Sequence, residues 1–81
     1  MSLAQTWEAA ELAAGKNDAK MLADLRKATG LQVARATLYR WKMNDRNMNL
    51  TVRRYMMGVA VPYLIKGVTK KQVEALVEGL L

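Results

Sequence analysis

Groups suited to binding nucleic acid are concentrated in "ARATLYRWKM", residues 34–43. These ten residues include three cations and a tyrosine but no acid. A guanidinium can bond guanine O6 and N7 or a phosphate, and a tyrosine hydroxyl commonly bonds phosphate. We therefore expect Arg35, Tyr39 and Arg40 to form a surface that contacts a nucleic acid.

Catalytic and metal-binding chemistry has little support in the sequence. The chain contains neither Cys nor His, which excludes disulfides, thiol chemistry, zinc-finger ligation and histidine acid–base catalysis. The acids Asp18, Asp24 and Asp45 show no paired-carboxylate pattern, and Ser2 is the only serine. We expect no enzyme activity, no metal and no cofactor.

The charge balance favours a polyanionic partner. The formal net charge is +6, from 13 Lys and Arg against 7 Asp and Glu, and the sequence pI is about 10.0. Seven of the cations lie in residues 31–68, where Asp45 is the only acid. Such an excess attracts either nucleic acid or an anionic membrane surface.

Neither a membrane-spanning segment nor a secretion signal is predicted. The most apolar run, "YMMGVAVPYLI" at residues 55–65, is far shorter than the ~20 residues that span a bilayer. The opening "MSLAQTWEAA" lacks a basic region followed by a long apolar run. We therefore expect a soluble, cytoplasmic chain without a membrane partner.

The elements that must position these groups are all predicted to be helical. Apolar residues recur at helical spacing in five segments, which predicts an all-α fold, a compact bundle of about five helices in one domain over residues 1–81. Gly15 and Gly30 are placed to end the first two helices. Thr69 and Gln72 match the S/T-x-x-E/Q capping box that begins the last one. The predicted segments cover about residues 3–14, 17–30, 34–43, 50–65 and 69–80.

Three details of the bundle stay open. The polar stretch "MNDRNMN" breaks the helical periodicity, and it is either a plain loop or a small wing. Pro62 cannot donate to the carbonyl of Gly58, so a kink or break is expected there. A short strand across residues 59–65 is the competing prediction. Apolar residues occur on all sides of the helix predicted at residues 50–65. This helix is therefore expected either at the centre of the fold or against another subunit.

The third helix has two chemically different sides. Ala34, Leu38 and Trp41 follow the i, i+4, i+7 spacing of an apolar anchor. The opposite side carries Arg35, Ala36, Tyr39, Arg40 and Met43. The major groove of B-DNA admits one α-helix, and a small residue such as Ala36 permits close approach.

The stretch "ADLRKATGLQVARATLYRW" resembles the helix-turn-helix of small DNA-binding regulators, including bacterial repressors, invertases and excisionases, with phage and plasmid repressors as the broadest comparison. The resemblance implies a helix-turn-helix at about residues 18–43. It implies that Leu25 and Ala28 brace the first helix and that Leu38 and Trp41 anchor the second. The implied groove-facing residues are Arg35, Ala36, Thr37, Tyr39 and Arg40. Downstream, "YLIKGVTKKQVEALVEGLL" is loosely similar to the helices after the wing of MerR-type regulators, although "NDRNMN" is much shorter than that wing.

The turn departs from the family pattern. The turn glycine and the threonine of "T-L-Y" are usually five positions apart, whereas Gly30 and Thr37 are seven positions apart. Either Gln32 replaces the glycine at a conformational cost or the turn is longer. We expect the longer turn because Gly30 is the better helix stop. Ala34 also stands where these families often place a Ser or Thr N-cap.

The sequence thus predicts sequence-specific binding of double-stranded DNA by a small bacterial, phage or plasmid transcriptional regulator, with repression as the expected mode. A homodimer through residues 55–65 and the C-terminal helix would pair two such modules on a near-palindromic site. The further cations expected to contact DNA are Lys42, Arg46, Arg53, Arg54, Lys70 and Lys71. The alternatives are a basic helical module that binds an acidic protein, such as an RNA polymerase subunit, and a membrane-active basic peptide.

Overall fold

Five α-helices and no β-strand make up the computed structural model, which describes all 81 residues. The helices are α1 (Leu3–Ala13), α2 (Asp18–Thr29), α3 (Arg35–Met43), α4 (Leu50–Leu64) and α5 (Lys70–Leu80). This confirms the predicted all-α bundle of five helices. Residues 44–49 form a loop, as predicted, so the alternative of a small wing is wrong. The competing prediction of a strand across 59–65 is also wrong, because α4 continues to Leu64.

The core lies where α4 meets the other helices. α4 packs against α1, α2 and α5, which confirms the central position that its apolar pattern allowed. Trp7, Leu25, Val52 and Met56 are fully buried there. Each apolar side chain of this size contributes roughly 1.5–3 kcal/mol on burial. Met48, from the loop before α4, is also buried and ties that loop to the core.

Local signals place the helix ends as predicted. Gly30 has φ +72° and its N–H donates to the carbonyl of Arg26 at 2.9 Å, which is the left-handed C-cap that L residues rarely adopt. The Thr69 and Gln72 capping box is present in both directions, at 3.2 Å and 2.8 Å. A second capping box, between Ser2 and Gln5, begins α1 and was not predicted.

Pro62 lies inside α4 without ending the helix at once. The helix continues to Leu64, and the N–H of Ile65 donates to the carbonyl of Val61 at 2.8 Å. The missing proline N–H leaves the carbonyl of Gly58 without its usual helical donor. Pro62 stands in the last turn of α4, which ends at Leu64.

Two alanines predicted as anchors are exposed. Ala34 is the N-cap of α3 with extended backbone (φ −77°, ψ 150°) and no side-chain cap bond, so it lies outside the helical stripe. Ala28 is exposed because α2 is buried through Met21, Leu22 and Leu25. Val33, in the turn, is buried in the core instead.

Candidate nucleic-acid interface

The α3 helix is attached to the bundle along one side. Leu38 is buried at 7% exposure, and Trp41 is half-buried and packs against the core. The opposite side faces solvent and forms one shallow surface, which we call the outer face, lined by Arg35, Ala36, Tyr39 and Arg40. Tyr39 is 62% exposed. The structure therefore brings together four of the five predicted groove-facing residues.

The fifth, Thr37, is half-buried beside this surface. Its hydroxyl accepts a hydrogen bond from the Arg40 guanidinium at 3.2 Å. None of the ion pairs in the structure involves Arg35 or Arg40. Their charges are therefore available to an external anion.

The connection from α2 to α3 is the longer turn, residues 30–34, and it is held by hydrogen bonds. The Arg26 Nε donates to the carbonyl of Val33 at 2.9 Å, and the N–H of Leu31 donates to the Thr29 hydroxyl at 3.3 Å. Burial of Val33 holds the end of the turn against the core. The orientation of α3 is thus set although its first turn lacks a side-chain cap.

The start of α1 holds the other end of α3. The Ser2 hydroxyl donates to the carbonyl of Lys42 at 3.0 Å, and the N–H of Leu3 donates to the Asp45 carboxylate at 3.0 Å. Glu8 forms a salt bridge with Lys42. These contacts join residues 34 to 42 positions apart, so no local spacing in the sequence signalled them.

The remaining predicted cations are dispersed. Arg46, in the loop after α3, is exposed and has no acidic partner. Arg53 is half-buried and donates to the backbone carbonyl of Asp45 at 2.7 Å, where it braces the loop. Arg54 forms an exposed ion pair with Glu78 at 3.4 Å, and such surface pairs contribute little to stability.

Lys70 and Lys71 are exposed at the start of α5. α5 packs on α4, whereas α3 packs on α1. The structure therefore does not join these two lysines to the outer face. Sequence reasoning grouped them with α3 by charge alone.

An ionic cluster around Lys16, in the loop between α1 and α2, joins these two helices. The Lys16 ammonium lies 2.8 Å from the Glu11 carboxylate and 2.9 Å from that of Asp24. Glu11 is the only buried charged residue. Hydrogen bonds to the two carboxylates raise the pKa of Lys16 above its usual range, and the bond from Lys16, with a second from Lys20, lowers the pKa of Asp24. The cluster thus links the end of α1 to α2 through the loop residue between them.

None of the helices combines the length and apolar character that crossing a membrane requires.

No protein-family model, curated protein or solved structure matches the chain.

Proposed function

We propose that the chain is a sequence-specific double-stranded DNA-binding protein, a small transcriptional regulator of bacterial, phage or plasmid type that acts in the cytoplasm as a repressor. The observation that carries this proposal is the outer face of α3, where two guanidiniums without acidic partners flank an exposed tyrosine. A helix presented in this way fits the major groove. Ala36 leaves room for close approach to the bases.

The scaffold supports the same proposal. A helix that contacts DNA bases must keep its orientation when no DNA is bound. The core holds α3 through Leu38, and α1 holds it through the Ser2 hydroxyl. Arg35 and Arg40 are then positioned for base edges or phosphates. Arg46 adds an exposed cation in the loop that follows α3.

Pairing with a second copy is part of the proposal, because a single module of this size makes few base contacts. The interface predicted over residues 55–65 must be narrower, since Met56, Ala60 and Val61 are buried within the chain's own core. The exposed large apolar side chains that remain at this end of the sequence are Tyr63, Leu64, Ile65, Leu76, Leu80 and Leu81.

The charges on α5 do not prevent such pairing. The helix carries two lysines and two glutamates, so its formal charge is zero. Leu76 and Leu80 are four residues apart and lie on the same side of the helix, roughly opposite Lys71 and Glu78. An apolar contact between two copies would therefore form on the side away from these charges.

The proposed function is tested by titrating the protein into random-sequence duplexes at two salt concentrations and then selecting preferred sites. We expect salt-dependent binding with a minority of sequences enriched. Absence of salt-dependent binding, together with tight association with one acidic protein, would favour the alternative of a protein-interaction module.

A further inference from the structure

We propose that the cleft between α1, α2 and α3 has the groups of a subsite for a backbone phosphate of nucleic acid, and that Glu8, by pairing with Lys42, withholds Lys42 from that phosphate in the wild type. This inference rests on the proposed function, because it describes how the edge of the outer face contacts a duplex. It assigns to Glu8 a role in limiting the sequence-independent part of the affinity.

The cleft has a volume of about 200 Å³ and adjoins the outer face. Arg35 and Tyr39 line both surfaces. Lys42 lines the cleft one to two helical turns further along α3. A guanidinium, a phenol and an ammonium thus surround one small volume, and each of these groups can donate a hydrogen bond to a phosphate oxygen.

Glu8 occupies one side of this volume. Its carboxylate forms a salt bridge with the Lys42 ammonium, and the two side chains are 28% and 25% exposed. Because less than a third of each side chain is exposed, solvent and salt screen this ion pair less than they screen a fully exposed pair. A phosphate that enters the cleft must therefore replace Glu8 as the partner of Lys42 and also overcome repulsion from the Glu8 carboxylate.

Asp18 adds a second acid to the lining of the cleft. It forms no salt bridge, so its contribution is a general negative potential. The cations of the outer face differ in this respect, because neither Arg35 nor Arg40 has a carboxylate partner within the chain. The acids therefore weaken phosphate binding at the cleft and leave the outward-facing guanidiniums free.

The test compares Glu8→Gln with Glu74→Gln in titrations of a random-sequence duplex over a range of salt concentrations. Both substitutions raise the net charge by one, but Glu74 is exposed on α5 and forms no ion pair. We expect Glu8→Gln to raise the affinity at low salt and to steepen the slope of log K against log salt by about 0.9, the value for one added phosphate contact. Glu74→Gln should leave the slope unchanged.

A double substitution identifies the group that responds. In the Lys42→Gln background, Glu8→Gln should no longer steepen the slope, because the released ammonium is missing. Equal effects of Glu8→Gln and Glu74→Gln, or an undiminished effect of Glu8→Gln without Lys42, would overturn the inference while leaving the proposed function intact. Absence of salt-dependent duplex binding by the wild type would overturn both.

Lys42→Gln alone gives an independent test if Glu8→Gln does not fold, which thermal unfolding followed by circular dichroism would show. Because Glu8 withholds Lys42 from phosphate in the wild type, Lys42→Gln should leave the salt slope unchanged. A slope flattened by about 0.9 would mean that Lys42 already contacts phosphate, and the competition by Glu8 would be disproved.

Discussion

The α3 and α5 helices are both buried along one side only, and their free sides differ in chemistry. α3 exposes guanidiniums and Tyr39 and contains no acid. α5 buries only Val77, exposes Leu76 and Leu80, and contains two lysines and two glutamates. Two copies of α3 would repel each other because both are cationic. Two copies of α5 would not, because each has no net charge and exposes apolar side chains. The difference supports assigning DNA to α3 and a second copy of the chain to α5.

The largest expected effect concerns how firmly each helix is attached. Leu38→Ala should lower the free energy of unfolding by about 2–5 kcal/mol, because it leaves a cavity beneath α3. Urea denaturation measures the change. Val77→Ala in α5 removes less apolar volume and should have a smaller effect. Equal losses would mean that α5 is attached as firmly as α3, and the contrast between them would disappear.

The next effect concerns DNA. Arg40→Ala should lower the affinity for a selected site by roughly 1–3 kcal/mol and relax sequence choice, since it removes a donor that can pair with a base. Fluorescence anisotropy with selected and scrambled duplexes measures both quantities. Unchanged binding to the selected site would count against α3 as the reading helix.

Lys70→Ala and Lys71→Ala provide the matched comparison on α5. They remove the same unit of charge from a helix that does not pack on α3. Because these lysines lie away from the outer face, we expect a small loss of affinity that is the same for all sequences, and an unchanged salt slope. A change in sequence preference caused by either variant would show that α5 takes part in reading the bases.

The self-association assigned to α5 is tested by Leu76→Asp. Leu76 is 39% exposed, so the substitution should disturb the folded monomer little, but it should weaken association by about 1–2 kcal/mol by placing a charge in the apolar contact. Sedimentation equilibrium measures the dissociation constant. Leu50→Asp is the control, because Leu50 is exposed at the first position of α4, where an acid is favourable to the helix dipole. Equal dissociation constants for both variants and the wild type would contradict the assignment of the contact between copies to α5.

The smallest effect is the pH dependence of the cluster that joins α1 to α2. Hydrogen bonds from Lys16 and Lys20 lower the pKa of Asp24. The ionised form of Asp24 is therefore more favourable in the folded state than in the unfolded state. Its stabilisation is present above the unfolded pKa of about 3.9 and is lost as the pH falls through the folded pKa. Asp24→Asn should therefore flatten the acid side of the stability profile, measured as Tm against pH. An unchanged profile would mean that the cluster does not contribute.

Much of the bundle could be predicted because the relevant signals are local. Helix periodicity, the stop at Gly30 and the capping box at Thr69 depend on interactions within a few residues of one another, so their geometry follows from the order of the residues. The exposed side of α3 follows from the same periodicity. Ala34 shows the limit of this reasoning, because an extended N-cap does not continue the helical stripe.

Which cations are free was decided only by the tertiary structure. The sequence determined five helices, an excess of positive charge and a cationic side of α3. It did not determine that Glu8 would bind Lys42, that Asp45 would accept from Leu3, or that Arg53 would brace a loop carbonyl. The first two contacts join residues 34 and 42 positions apart. Such pairing depends on how α1, α3 and α4 pack, because a charged side chain responds to its nearest neighbours in space rather than along the chain.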